Sequence, residues 1–517
     1  MHTILIKHAS VADGTGKDIR TADLLICDGI LQEVGTIDAP AAETIEAAGL
    51  LAAPAFIDMH THSDETLLID KSGASHLRQG VLTQAVGNCG YSAAPMRGRA
   101  DLRRNIYGYV EADREFGPWE NFSDYLTELD AGLYGRAVSY VGHGALRSCV
   151  MGYEKRPASA EEIRRMCDLL SACMEQGALG LSSGLEYFPG NAAAREEILA
   201  LCRVVAKYGG LYATHVRNRD VHYEAGFQEA IDTAYQTGVR LQISHAVPKY
   251  GVPAGGVEKV LSWIDRASAD IDIAFDVIPY TWGSAVMRSI LPPDLLAFPV
   301  GELTEKLREP SVRDRLYRKK DYFWRLITDR KFEEIKLYDS VHAKAFEGKT
   351  FAEIGRILNT DPLYAMLDVL LMEGSEMGST MMLGHFKSAD DLKLMMRHPL
   401  ASVISDSTAL TRNGLLGKLN WAEGCYGWVP ELFRSFVLSD PVLTLPEAIR
   451  KITMAPADRI GLANTGRLLP GASADLLLLD LQQFAESGRN RDCACGVKLL
   501  LKGGVPVIRN DEILPVR

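Results

Sequence analysis

The chain has 517 residues, 47% of them hydrophobic, enough to bury more than one compact core and to predict one large domain with a smaller companion. Its formal charge is −11, from 67 acidic against 56 basic residues, and it lacks a long basic run, which excludes a nucleic-acid footprint. No segment is apolar for the width of a bilayer, and Met1-His2-Thr3-Ile4-Leu5-Ile6-Lys7 alternates like a strand, so a cytoplasmic protein without membrane partners is expected.

The nine cysteines, an odd number, show no paired framework and fit reduced thiols in a large intracellular enzyme. Cys493-Ala494-Cys495 lacks CxxC spacing and is expected to hold ordinary thiols.

In chain order, Ile4 to His8, Ala22 to Cys27, Ile30 to Val34 and Thr44 to Ala47 predict short strands, with Asp28-Gly29 as a hairpin turn. The same grammar returns at Leu476 to Leu479 and Val497 to Leu501, so residues 1–52 and 460–517 are expected to combine into one small, split β-sandwich domain. Between them, residues 53–459 alternate strands with helices. Eight strand-like runs start at Ala55, Val81, Ala137, Ala178, Gly210, Val239, Ile271 and Ala401, with helices such as Ala160 to Gln176, Arg195 to Tyr208 and Val221 to Gln236 between them. That order predicts an α/β fold, a (β/α)8 TIM barrel. The interval before the last strand is too long for one crossover, so residues 292–382 predict an inserted subdomain or lid with helices over Pro310 to Arg330, Thr350 to Leu358 and Pro362 to Glu373.

The first barrel run ends in His60-Thr61-His62, and alternate strand residues share a face, so both imidazoles project together. Other predicted strands end at Cys89, His215, His245 and Asp406, and in such a barrel the strand ends converge on the active site. A thiolate, four imidazoles and a carboxylate suit zinc. Cys89, His215 and His245 form the softer, tighter set, and His60, His62 and Asp406 a weaker second site or a means of orienting water. With zinc acidifying a water, Asp406 can take its proton and pass it to a leaving nitrogen, which implies hydrolysis of a small-molecule amide without a covalent intermediate.

This ligand set resembles that of the N-acyl-D-amino-acid deacylases (D-aminoacylases) of the amidohydrolase superfamily. So do Gly142-His143-Gly144-Ala145-Leu146-Arg147, Gly180 to Gly190, Thr214 to Asn218, Pro279-Tyr280-Thr281 and the segment from Met454. The resemblance implies that Cys89, His215 and His245 bind the main zinc, that Asp406 is the general base, that Tyr187 and Tyr280 contact substrate, and that the substrate has the D configuration. Three positions depart from the family pattern. A lysine that grips the substrate carboxylate is replaced by Val247, with Lys249 the nearest, and the arginine of His-Pro-Arg-x-Tyr-Gly is Gly424, beside Glu423. Ala55 stands for a glycine, without functional consequence. Loss of a bidentate cation predicts altered recognition: Lys249, Arg288 or Arg412 holds the carboxylate, or the substrate lacks one. Trp421, Tyr426 and Trp428 are expected either to line an apolar pocket or to pack their own loop. His143 and His385 are expected to be structural, although His143 ends a strand and could touch substrate. Two rivals are a cyclic-amide hydrolase, disfavoured because Ser182 and Ser183 stand where such relatives carry a lysine ligand, and a non-enzymatic scaffold, disfavoured by the complete ligand set.

Overall fold

The computed structural model describes residues 2–95, 116–117, 119–152, 154–296, 298–322, 324–489 and 492–515. The chain opens with β1 (Thr3–Val11), β2 (Arg20–Cys27), β3 (Ile30–Gly35), β4 (Glu43–Glu46) and β5 (Leu51–Pro54). The β2–β3 hairpin turns on Asp28 and Gly29, both at positive φ (45° and 81°), the backbone that a two-residue turn between right-twisted strands requires. β1 pairs antiparallel with β2 and parallel with β4 and β5.

The middle of the chain supplies β6 (Phe56–Asp58), β7 (Val81–Val86), β8 (Arg136–Ser139), β9 (Val141–Gly142), β10 (Gly180–Gly184), β11 (Leu211–His215), β12 (Arg240–Ile243) and β13 (Ile273–Val277). All are parallel to their neighbours. β6 pairs with β7 and β7 with β8; after Tyr140 the same run resumes as β9, which pairs with β10, and the ladder continues through β11, β12 and β13. These strands are nearly all buried, as expected where helices cover a parallel sheet. The helices Ala160–Glu175, Arg195–Lys207 and Tyr223–Thr237 match their sequence expectations within about two residues, and the first is started by a Ser159/Glu162 capping box.

Residues after β13 depart from expectation. β14 (Trp282–Val286), β15 (Ile335–Asp339) and β16 (Met381–His385) form a separate antiparallel sheet in the order β14-β16-β15. Its own apolar cluster includes Ile290, Leu307, Leu337, Met366 and Met382. The helix expected over 310–330 is broken into Pro310–Arg318 and Arg325–Thr328, because the chain is extended at Lys319 and Tyr322 folds back to donate to the Leu316 carbonyl. Phe323 lies outside the described residues.

β17 (Ala401–Val403) then pairs parallel with β13, and a parallel bridge between Thr61 and Ser407 brings the end of the parallel ladder against its start. Finally β18 (Leu476–Leu479), β19 (Val497–Lys502), β20 (Val505–Arg509) and β21 (Glu512–Ile513) join β5, so hydrogen bonding links both chain ends into one nine-stranded sheet. The whole is a mixed α/β fold. Among the described residues, no helix is long and apolar enough to cross a membrane.

Candidate metal centre

The site begins where the first and last parallel strands meet. One oxygen of Asp58 accepts from the backbone N–H of His60 (3.2 Å) and of Ser405 (3.3 Å), while the other lies 3.5 Å from His76 Nε2. The N–H of Asp406 donates to the His60 carbonyl (3.2 Å), and that of His62 to Ser407 (2.8 Å). These bonds hold two segments more than 300 residues apart in register. Asp406 Oδ1 therefore sits 3.4 Å from His60 Nε2 and 3.3 Å from His62 Nε2.

Cys89 follows β7, His215 ends β11 and His245 follows β12. Cys89 Sγ lies 3.3 Å from His60 Nε2, 3.4 Å from His245 Nε2 and 3.9 Å from His215 Nδ1. Ligand atoms at ordinary zinc–nitrogen and zinc–sulfur lengths around a tetrahedron are separated by roughly 3.3–3.6 Å, so the His60 and His245 separations fit zinc, while His215 stands farther off. One donor atom each from His60, Cys89, His245 and Asp406 lies within 4.8 Å of every other. This closest group crosses the two ligand sets read from the sequence, with His62 and His215 at its flanks. Cys89 (φ 54°), His245 (φ 35°) and Asp406 (φ 48°) all take left-handed backbone, a costly conformation for non-glycine residues that clusters at functional sites.

Electrostatics suit metal ligation. Burial lowers His60 and His215 to about 4 and pushes His245 well below its ordinary value, so the imidazoles are neutral at neutral pH, the form that binds metal. Burial pushes the Cys89 thiol well up. Asp406 is also opposed by burial, but His60, His62 and Arg219 outweigh it and hold the carboxyl well below the usual range.

A second layer, not singled out in the sequence, orients these ligands. Glu186 accepts from His215 Nε2 at 2.5 Å and takes Lys249 Nζ on both oxygens at 3.0 and 2.8 Å. Asp276 accepts from the His245 N–H (2.5 Å) and lies 3.7 Å from His60 Nδ1; burial raises its carboxyl to about 7. Arg219 Nη1 donates to the His245 carbonyl at 2.6 Å. Glu186 thereby fixes the ring of His215, while Asp276 and Arg219 hold the backbone that carries His245. A Cβ on Gly184 would lie 2.4 Å from both the Cys89 carbonyl and Tyr187 Oη, so only glycine fits where β10 passes the centre.

A family model described as the amidohydrolase family matches residues 43–508. The chain belongs to the amidohydrolase family. It is 28% identical over 512 residues to a D-aminoacylase of Alcaligenes xylosoxydans xylosoxydans, covering 98% of this chain and 94% of the relative. It superposes with a TM-score of 0.78 and 26% identity, over 99% of each chain, on an N-acyl-D-glutamate deacylase of Bordetella bronchiseptica solved with zinc and a phosphonate inhibitor that mimics the tetrahedral intermediate. A D-aminoacylase studied for its binuclear metal centre gives the same TM-score at 25% identity, over 99% of this chain and 97% of that one.

The amidohydrolase places its expected substrate-binding residues unevenly. Tyr187 packs edge-on against His215 (5.0 Å) and donates to the Cys89 carbonyl at 2.8 Å. Tyr91 stacks on Tyr187, and Arg288 is close enough to Tyr91 to interact with its hydroxyl electrostatically. The Tyr280 carbonyl receives Lys387 Nζ at 3.3 Å. Lys249 is engaged by Glu186, and Arg412 lies over the ring of Tyr426, 43% exposed and 4.0 Å from Asp492. Trp421 stacks parallel to His62, whereas Trp428 is wholly buried in the main core. His143 and Arg147 both bind Glu197 inside the protein, and His385 pairs with Glu334 and stacks on Trp282, so both histidines have structural partners. None of the nine cysteines forms a disulfide.

Proposed function

We propose that the protein is a zinc-dependent hydrolase that cleaves the amide bond of N-acyl-D-amino acids. The observation that carries this is the convergence of donor atoms from Cys89, His60, His245 and Asp406, all within 4.8 Å of one another and flanked by His62 and His215, at the ends of parallel strands. The parallel ladder whose last strand meets its first supports a closed (β/α)8 barrel, with residues 1–52 and 460–517 as the split β domain and 292–382 inserted. The D configuration comes from the relatives' substrates.

Cys89, His215 and His245 would hold the main zinc, and His60, His62 and Asp406 a second, weaker one. When bound, zinc supplies Lewis acidity that polarises the amide carbonyl and acidifies the attacking water. Asp406, ionised and held between His60 and His62, accepts the water's proton and delivers it to the leaving nitrogen. Glu186 keeps Nδ1 of His215 turned toward Cys89 by occupying Nε2. Tyr187, Tyr280, Lys249 and Arg288 would contact the substrate. A cyclic-amide hydrolase is less well supported. Ser182 bonds the Gly87 carbonyl and Gly90 N–H, and Ser183 bonds Tyr212 and Thr214, so neither stands in for a lysine ligand.

The test is turnover of a matched panel by zinc-loaded protein: N-acetyl-D-amino acids, their L counterparts and the α-amides of both. Hydrolysis favouring the D series is expected, and Asp406→Asn should lower kcat by about 10²- to 10⁴-fold. Equal turnover of both enantiomers, or an undiminished Asp406→Asn variant, would contradict the proposal.

A further inference from the structure

Two cations close to the centre have no carboxylate of their own. Arg219 is 6% exposed; one Nη donates to the His245 carbonyl, and its buried Nε has no hydrogen-bond partner. Lys387, also 6% exposed, follows β16 and donates to the Tyr280 carbonyl. Among the described residues, neither has a carboxylate within ion-pair distance. Lys249 differs, because Glu186 takes it on both oxygens.

Lys249 links the segments that carry these two cations. The Lys249 N–H donates to the Arg219 carbonyl at 2.6 Å, and its ammonium lies 5.6 Å from the centroid of the Phe386 ring, next to Lys387. A buried cation without a counter-ion is expensive, and one beside a second cation more so. Such a pair is stabilised when an anion enters. The segments after β11 and β16 thus bring positive charge to a site where the expected arginine position is Gly424 and the expected lysine position is Val247.

We propose that Arg219 and Lys387 together form the pocket that holds the α-carboxylate of the substrate. This rests on the amidohydrolase function proposed above. The guanidinium offers its free N–H donors, and the ammonium adds a point charge from the segment after β16. Burial, with Arg219 adding repulsion, lowers the Lys387 ammonium to about 7, the condition of a cation awaiting its counter-charge.

Lys387→Met keeps the length of the side chain and removes the charge; Arg219→Lys keeps charge and removes the fork. In zinc-loaded protein each should raise KM for N-acetyl-D-amino acids roughly 10- to 100-fold with a smaller effect on kcat, and Lys387→Met should leave KM for the α-amides unchanged or lower. Lys387→Met should keep the wild-type zinc content, and Arg219→Lys is compared at equal zinc occupancy. In the slow Asp406→Asn background, Lys387→Met should weaken calorimetric binding of the same N-acetyl-D-amino acid by a similar factor. Equal losses on acids and amides, or no loss on acids, overturn the pocket. Wild-type turnover of α-amides alone also overturns it while leaving the hydrolase. Wild-type turnover of neither substrate overturns the proposed function, and the pocket with it.

Discussion

Glu186 joins the metal centre to its surroundings, accepting from His215 and from Lys249. Burial alone would raise its carboxyl, but Lys249 and His215 hold it well below the usual range. Glu186→Gln keeps the shape and removes the charge, so zinc affinity should fall roughly 10- to 100-fold, read by competition with a chromophoric chelator. Cys89, a thiol in the metal-free protein, must lose its proton to bind zinc, so loading in weak buffer at neutral pH should release acid. The candidate cluster was legible in the sequence because a strand end leaves a histidine or cysteine just past an apolar run. Glu186, Arg219, Asp276 and Lys387 were not, because loop charges carry no periodicity and their meaning comes from burial. Lys387 follows a strand outside the parallel set, so nothing in its local sequence tied it to the site.

At the scale of elements, Asp23 in β2 holds the small sheet together, accepting from the N–H groups of His8 and Ile37 and pairing with Lys7 at 3.0 Å. Burial opposes its ionisation, but these partners together lower it from 3.8 to about 2. A depressed carboxyl stabilises the fold above its unfolded pKa and ceases to do so as pH falls through its folded one. Asp23→Asn should therefore cost about 2 kcal/mol at pH 7, a difference that shrinks between roughly pH 4 and pH 2 in denaturant unfolding. Gly184 constrains β10 in another way: Gly184→Ala should lower stability by about 1–3 kcal/mol and reduce activity, because the added methyl meets Cys89 and Tyr187. The parallel strands and most crossover helices were legible from period and caps. β14 was not, since Trp282-Gly283-Ser284 lacks a β-rich pattern and the strand exists through pairing with β16.

At the scale of the molecule, the two chain ends meet in one sheet through β5 and β18, beside a parallel ladder whose ends are joined at Asp58, Thr61 and Ser407. The segment carrying β14–β16 has its own apolar cluster yet sets Phe386 beside Lys249, which pairs with Glu186, and Lys387 on the Tyr280 carbonyl. On the proposed reading, the sequence departures at Val247 and Gly424 amount to a relocation of positive charge beside the candidate metal centre. The most direct test of that centre is to strip the protein with chelator, restore zinc by titration, and follow release of free amino acid from an N-acetyl-D-amino acid. Loss of turnover on stripping and its return with the first equivalent of zinc are expected. Turnover that is indifferent to zinc would contradict a metal-dependent hydrolase built on Cys89, His215 and His245.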